Sequence, residues 1–145
     1  MTAEAVHEDA IHALCQRAGF EATQIDWLAA DLSLRRFARV SLAGAPVATA
    51  IARVEAPEDP AGRPSGVAPE PPLEPIRDLL ERNGLPVPKS FGIDADAGVQ
   101  LLEDCGRLPL RDAVATLSGP ERWSLHIEAC DWVARLQAVP REAGV

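Results

Sequence analysis

The sequence has few cysteines, few basic residues and no long hydrophobic run. Its three cysteines, Cys15, Cys105 and Cys130, are far apart and form no C-x-x-C pair, so neither a disulfide framework nor a zinc site is predicted. A formal net charge of -8 disfavours nucleic acid and anionic membranes as partners. No stretch reaches the ~20 apolar residues of a membrane span, and the acidic first ten residues do not resemble a signal peptide. A reduced, cytoplasmic compartment is therefore expected.

The common catalytic signatures are missing as well. The chain contains no G-x-x-x-x-G-K-[ST], G-x-S-x-G or H-E-x-x-H motif. His7 and His12 are five residues apart, which is the wrong spacing for a shared metal-binding face of a helix. No aspartate follows His126 at the offset of a kinase catalytic loop, so a half-buried or surface histidine on a helix is expected there. The sequence therefore predicts no catalytic residue and no metal ligand in this chain.

The pattern that remains is typical of an α+β domain. Of the 145 residues 47% are hydrophobic, enough for one globular core. Hydrophobic periodicity and turn residues predict helices at 3–18, 73–83, 110–117 and from 119 to about 136, and strands at 24–30, 37–42, 47–54, 90–93 and 99–102. This order predicts an antiparallel sheet of about five strands, built from two hairpins, with the 73–83 helix packed on one face.

Two segments look unusual for a self-contained domain. Prolines and glycines crowd residues 57–75, so an irregular and poorly packed loop is expected at about 58–72. The last helix has two apolar rows, which require burial on more than one side. We therefore expect Trp123 and Trp132, one on each row, to be partly exposed and to lie where a further lobe would cover them.

Four segments, in this order, resemble one family of small-molecule kinases. Residues 31–40 (DLSLRRFARV) resemble the D-A-S-F-R-R-Y-F-R-V signature of aminoglycoside-phosphotransferase-like kinases, in particular the branch that phosphorylates N-acetylmuramate and N-acetylglucosamine. Residues 54–58 (VEAPE) are similar to its M-D-A-P-P, 84–88 (GLPVP) to its post-helix segment, and 101–106 (LLEDCG) to its L-L-E-D-L-G hinge. The resemblance extends over nearly the whole chain, through a final helix similar to the first long helix after the hinge.

The resemblance implies a protein-kinase-like N-terminal lobe. Residues 1–103 would form the nucleotide-binding lobe, and 104–145 the hinge and the start of an incomplete C-terminal lobe. The implied ligand is ATP with magnesium, whose ligands would lie in the missing lobe, and the implied acceptor is a hydroxyl of a small sugar or amino sugar. The residues implied to bind the nucleotide are Ser33, Arg35, Arg36, Arg53, Glu103, Asp104 and Cys105, and the possible ion-pair partners of Arg53 are Glu74 and Glu81.

Each of these roles has a plainer alternative. Ser33 is implied to offer its hydroxyl to phosphate, with Arg35 or Arg36 adding charge, because a tight turn can aim N–H groups at an anion. The same residues could form a solvated hairpin turn with arginines on its rim. Arg53 stands about where kinases place a phosphate-contacting lysine, and it could equally be a surface arginine on a strand. The hinge residues could be a strand end followed by a polar turn.

Three functions remain open from the sequence. The chain could be the N-terminal lobe of an ATP-dependent phosphotransferase, because the motifs occur in family order. It could be a non-catalytic, pseudokinase-like module that binds a nucleotide or a protein, because no H-x-D-x-x-x-x-N loop and no later acidic motif are present. It could also be a structural domain without a ligand. The sequence leaves the acceptor, the choice of ATP over GTP and the oligomeric state undetermined.

Overall fold

The computed structural model describes residues 3–29, 35–55 and 73–140 of the chain. Within these ranges the fold is α+β, as predicted. The strands are β1 (Glu21–Trp27), β2 (Arg36–Ala43), β3 (Thr49–Val54), β4 (Ser90–Asp94) and β5 (Val99–Glu103), and the helices are α1 (Ala3–Arg17), α2 (Leu73–Arg82), α3 (Leu110–Thr116) and α4 (Gly119–Gln137). The loop predicted at about 58–72 lies outside the described residues.

The five strands form one sheet in the order β1-β2-β3-β5-β4. Every neighbouring pair is antiparallel, which confirms the sheet predicted from the two hairpins. Gly44 and Gly98, with φ of 70° and 64°, lie in the β2–β3 and β4–β5 turns, where glycine adopts the left-handed conformation without strain. The two hairpins meet in the centre, where β3 pairs with β5.

One face of the sheet forms the core together with α1. Alternate residues of each strand point to the same face, and on this face they are small or branched apolar residues that are fully or almost fully buried. From α1, Ile11, Leu14 and Cys15 pack into the same cluster. The members contributed by the sheet are Ala38, Val40, Ala50, Ala52, Val54, Val99 and Leu101. Burial of Cys15 raises the pKa of its thiol, so this cysteine is a packing residue.

α1 packs on one face of the sheet, where it contacts β1, β4 and β5. From the sequence, the 73–83 helix was expected on the sheet, and the packing of α1 was not anticipated. The described chain divides into two compact units: α1 and all five strands belong to the first, and α2, α3 and α4 belong to the second. The two predicted lobes, residues 1–103 and 104–145, stay a prediction.

The second unit has an apolar cleft of its own. Leu80 of α2 and the following Leu85 line it from one side, and Trp132 and Leu136 of α4 line it from the other. Leu80 of α2 thus lines the same cleft as residues of α4. Trp123 is 70% exposed and Trp132 is half-buried, in agreement with the partial exposure expected from the sequence.

The start of α4 is fixed by a carboxylate at its first turn. Glu121 Oε2 accepts hydrogen bonds from the backbone N–H of Ser118 at 3.0 Å and from its hydroxyl at 2.5 Å. These bonds lower the pKa of the Glu121 carboxyl, and a negative charge at a helix N-terminus is favourable. None of the helices in the described ranges is long and apolar enough to cross a membrane.

An ion pair joins α1 to β4 at the edge of the sheet. Arg17 Nη2 lies 2.6 Å from Asp94 Oδ2, and both side chains are partly exposed. The Ala97 backbone N–H also donates to this carboxylate, and together the two contacts lower the pKa of Asp94. Because the folded-state pKa is depressed, the contribution to stability is present above the unfolded pKa of about 3.9 and disappears as the pH falls through the folded value.

Close packing between α1 and β4 gives a first prediction. A Cβ at Gly92 would lie 3.1 Å from Leu14 Cδ1, and Leu14 is 2% exposed and surrounded by the core. We expect Gly92→Ala to lower the free energy of unfolding by about 1 kcal/mol, at the lower end of the cost of overpacking, measured by urea denaturation. Gly119→Ala is the control, since nothing lies within 4 Å of its Cβ. Equal stability of the two variants would contradict this account of the contact.

Candidate functional site

The face of the sheet opposite α1 carries the polar side chains of the central strands. Phe37, Arg39 and Ser41 of β2 point to this face, as the alternation in the sequence predicted. Arg53 of β3 and Gln100 of β5 are on the same face and pair directly across the two strands. All these residues belong to the first compact unit, so the candidate site is described within that unit.

Arg53 is the cation that lies deepest at one end of this face. Its side chain is 12% exposed, and it forms an ion pair with Glu55 Oε1. Nη1 also donates a 3.4 Å hydrogen bond to Gln100 Oε1. Burial is the main reason that the pKa of Arg53 is lowered; the nearby Glu55 raises it and Arg35 lowers it further. With 12% of its side chain exposed, the guanidinium has lost much of its hydration and interacts strongly with nearby anions.

Arg35 brings a second guanidinium to the same carboxylate. Arg35 Nε donates to Glu55 Oε2 at 3.2 Å, while Arg53 binds the other oxygen of Glu55. The Glu55 side chain is 43% exposed, so the carboxylate between the two arginines faces solvent. Two guanidinium groups thus meet at one solvent-facing carboxylate, and guanidinium groups bind phosphate oxygens as they bind a carboxylate.

Arg36 does not join this pair of arginines. It pairs with Val54 and points to the α1 side of the sheet, whereas Arg39 points to the opposite side. Its guanidinium carbon is 4.3 Å from the centre of the Trp27 ring, a cation–π contact. The structure thus separates the two adjacent arginines that the resemblance implied together. Ser33, the hydroxyl implied at the phosphate, lies outside the described residues.

The other end of the face is the point where the chain leaves β5. The last pair of β3 and β5 is Ala50 with Glu103. The Glu103 N–H donates to the Lys89 carbonyl at 2.8 Å, and the Glu103 carboxylate accepts the Lys89 N–H at 3.1 Å. The exposed Cys105 follows, with Sγ 4.0 Å from the Glu103 carbonyl oxygen. The peptide groups of this exit are held at a defined position beside the strand end.

The side chain of Asp104 is used inside the protein, whereas the resemblance implies that the hinge binds a nucleotide through backbone groups. Its carboxylate is 7% exposed and accepts a bidentate pair of bonds from Arg39, at 2.6 Å from Nε and 3.0 Å from Nη2. The Thr49 hydroxyl donates to the same carboxylate at 2.8 Å. The hydrogen bond to Asp104 is the main cause that raises the pKa of Arg39, against the effect of burial. We call these three residues the Asp104 network.

An apolar surface lies between the two ends of the face. Ile51 and Leu102 are cross-strand neighbours on the same face as Arg53. Ile51 is half-buried and Leu102 is 9% exposed. Arg53 follows Ala50 by three residue steps along β3, which is about 10 Å at the ~3.3 Å rise of a strand. Strand-end peptide groups, two largely buried apolar side chains and two arginines thus follow one another along this face.

Glu74 and Glu81, the implied partners of Arg53, lie on α2 in the second unit. Both contact Arg77, at 3.1 Å and 3.0 Å respectively, across one turn of the helix. Asp78 also pairs with Arg77. The partners that the structure gives Arg53 are instead Glu55 and Gln100.

The described residues do not fit a magnesium site. Magnesium is bound through carboxylate and other oxygen ligands, but the two carboxylates on this face, Glu55 and Asp104, already pair with arginines. Across the described ranges no group of three or more histidines, cysteines, aspartates and glutamates is placed to hold a metal ion.

No protein-family model, curated protein or solved structure matches this chain. The argument for function therefore depends on the residues and their geometry.

Sequence reasoning missed several residues of this face. The residues that were not singled out as site residues are Arg39, Thr49, Ile51, Gln100 and Leu102. The sequence did contain a signal for Arg39 and Gln100. Each is a charged or amide side chain in the middle of an otherwise apolar strand, and such a side chain needs a partner when it is buried. Which partner it finds depends on strand register, and register is a tertiary property.

The Asp104 network gives a second prediction. Arg39→Met or Asp104→Leu leaves a buried charge without its partner, so each is expected to lower the free energy of unfolding by about 3–5 kcal/mol. The double variant removes both charges at similar volume and should recover most of that loss. Urea denaturation followed by far-ultraviolet circular dichroism measures all three variants. A double variant whose loss equals the sum of the single losses would show that the pair is not coupled.

Proposed function

We propose that this chain is the nucleotide-binding lobe of an ATP-dependent phosphotransferase, similar to the aminoglycoside and amino-sugar kinases. The observation that carries the proposal is the location of Arg53: a desolvated guanidinium on β3, on the face opposite α1, about 10 Å along the strand from the β5 exit. In kinases a cation on the third strand contacts the phosphates of ATP. Here an arginine takes that role.

In this proposal the nucleotide lies along the face with its adenine at the β5 exit and its phosphates at Arg53. Its adenine edge meets the Glu103 carbonyl and the Cys105 amide, its ring contacts Ile51 and Leu102, and its phosphates reach Arg53 and Arg35. The succession of polar peptide groups, apolar surface and cations along the face supports this orientation, because each part of ATP then meets a group of matching chemistry. Gln100 orients Arg53 from the neighbouring strand.

The residues of this lobe bind and orient, and the transfer step needs others. A phosphoryl transfer requires a carboxylate that positions the acceptor hydroxyl and metal-held phosphates. The 145 residues contain no H-x-D-x-x-x-x-N loop, and the carboxylates of the described face pair with arginines. We propose that a C-terminal lobe supplies these groups together with the site for a small sugar or amino sugar.

A non-catalytic module that binds a nucleotide or a protein is the second candidate. The same binding face supports it, and the missing catalytic loop motif favours it. The two candidates differ in whether a partner lobe restores turnover, so binding and turnover have to be measured separately.

Nucleotide affinity tests the proposed role of Arg53. We expect Arg53→Gln to weaken ATP binding about ten- to a hundredfold, because a charge-assisted hydrogen bond in a desolvated position is worth about 1.5–3 kcal/mol. Isothermal titration calorimetry measures the dissociation constants. Arg111→Gln is the matched control, since Arg111 is 87% exposed and pairs with its neighbour Asp112.

The variant Glu55→Gln is expected to change ATP affinity in the opposite direction. Removal of the carboxylate that Arg35 and Arg53 share should strengthen ATP binding, because one competitor of the phosphates is then absent. If Arg53→Gln and Arg111→Gln bind ATP equally, or if the unmodified chain binds no ATP, the proposed nucleotide site is wrong.

Turnover is expected to be absent in the isolated chain. Positioning and charge stabilisation supply most of the rate enhancement in phosphoryl transfer, and the groups that provide them are not in this sequence. ATP consumption is assayed with N-acetylmuramate, N-acetylglucosamine and an aminoglycoside, each against a sample without acceptor. Acceptor-dependent consumption above background would show that the chain is a complete enzyme.

A further inference from the structure

We infer that the Asp104 network positions the β5 exit for ligand recognition: Arg39 and Thr49 act through Asp104 to hold the Glu103 carbonyl and the Cys105 amide in place. Arg39, Thr49 and Asp104 are positioning residues. The inference rests on the proposed function for the identity of the ligand, an adenine nucleotide, but the restraint on the backbone stands on the geometry of the chain itself.

Asp104 lies directly beyond the end of the sheet. It is the first residue after β5, so the ladder that joins β5 to β3 ends immediately before it, at the Ala50–Glu103 pair. Strand pairing therefore fixes Glu103 but exerts no direct hold on the two residues that follow. The side-chain bonds of Asp104 hold the chain at the first residue beyond this ladder, next to Cys105.

The side chain of Arg39 spans the distance from β2 to Asp104. Arg39 lies on β2, two strands away from β5, and in register with Ile51 of β3. Its guanidinium extends along the face to bind Asp104 at 2.6 and 3.0 Å, and Thr49 at the start of β3 adds the 2.8 Å bond. One carboxylate is thus restrained from two strands, in a bidentate geometry that fixes its orientation as well as its distance.

Movement of Asp104 away from Arg39 is costly. With 9% and 7% of the side chains exposed, neither Arg39 nor Asp104 can exchange its partner for water without leaving the other charge buried. Surface ion pairs of the chain, such as Arg17–Asp94, lack this property because water reaches them. The exit is therefore held more firmly than a solvated turn, and the adenine edge meets peptide groups that are already in place, which lowers the entropy cost of binding.

The test compares the rigidity of the exit with that of the rest of the sheet. In the full chain labelled with 15N, we expect backbone order parameters near 0.85 at Asp104 and Cys105, as in a rigid backbone. The variant Arg39→Met/Asp104→Leu, which keeps a similar volume and removes both charges of the pair, should lower them below about 0.6. Arg17→Met/Asp94→Asn is the control: it removes a solvated ion pair, and asparagine keeps an oxygen for the Ala97 amide.

Measurements of ligand binding distinguish a positioning role of the Asp104 network from an effect on overall stability. ATP binding should weaken about tenfold in Arg39→Met/Asp104→Leu, while inorganic tripolyphosphate, which has no adenine, should bind as it does to the unmodified chain. Thr49→Val, which removes one bond and leaves the ion pair, should produce a smaller change of the same kind. A merely structural role would weaken both ligands together.

The outcomes distinguish this inference from the proposed function. If the order parameters at Asp104 and Cys105 do not change in the double variant, or fall equally throughout β3 and β5, the positioning role is overturned. If they fall at the exit alone but the unmodified chain binds no ATP, the positioning role stands and the nucleotide function fails. A selective loss of ATP affinity, with tripolyphosphate unaffected, supports both.

Discussion

The arrangement of the candidate site depends on one buried carboxylate. Asp104 accepts hydrogen bonds from Arg39 on β2 and from Thr49 on β3, and it directly follows the last paired residue of β5. Three strands thus meet at one side chain. A buried ion pair of this kind adds little net stability compared with apolar residues of the same volume. Its effect is specificity: the exit of β5 has one favourable position relative to the face that bears Arg53.

The two faces of the sheet divide the roles of stability and binding. On the α1 side, a continuous set of small apolar residues closes around Ile11 and Leu14 and leaves almost no exposed surface. On the opposite side, the same strands place Arg39, Arg53 and Gln100, which are buried polar groups that need defined partners. Strand alternation produces both faces from one stretch of sequence, so any shift of register by one residue would move the arginines into the core.

The sequence was sufficient for the elements and the sheet, because alternation, turn glycines and helix periodicity are local signals. It also predicted that Trp123 would remain exposed. It was insufficient for the packing of α1 on the sheet, because whether an apolar helix row meets a given face of a sheet depends on which surfaces fit together. The same limit applies to the site. Arg35 and Arg36 are adjacent in the chain, yet β2 begins at Arg36 and turns it toward Trp27, while Arg35 remains with Glu55.

The shared carboxylate of Glu55 decides how an anion would compete for Arg53 and Arg35. Glu55 is 43% exposed whereas Arg53 is 12% exposed, so the pair has one solvated and one largely desolvated member. A phosphate brings more charge and more acceptor oxygens than one carboxylate. On this basis we propose that Glu55 keeps the desolvated Arg53 paired when no ligand is present, and that it turns toward solvent when a phosphate takes its place. An exposed position suits that role, since the released carboxylate regains its hydration at once.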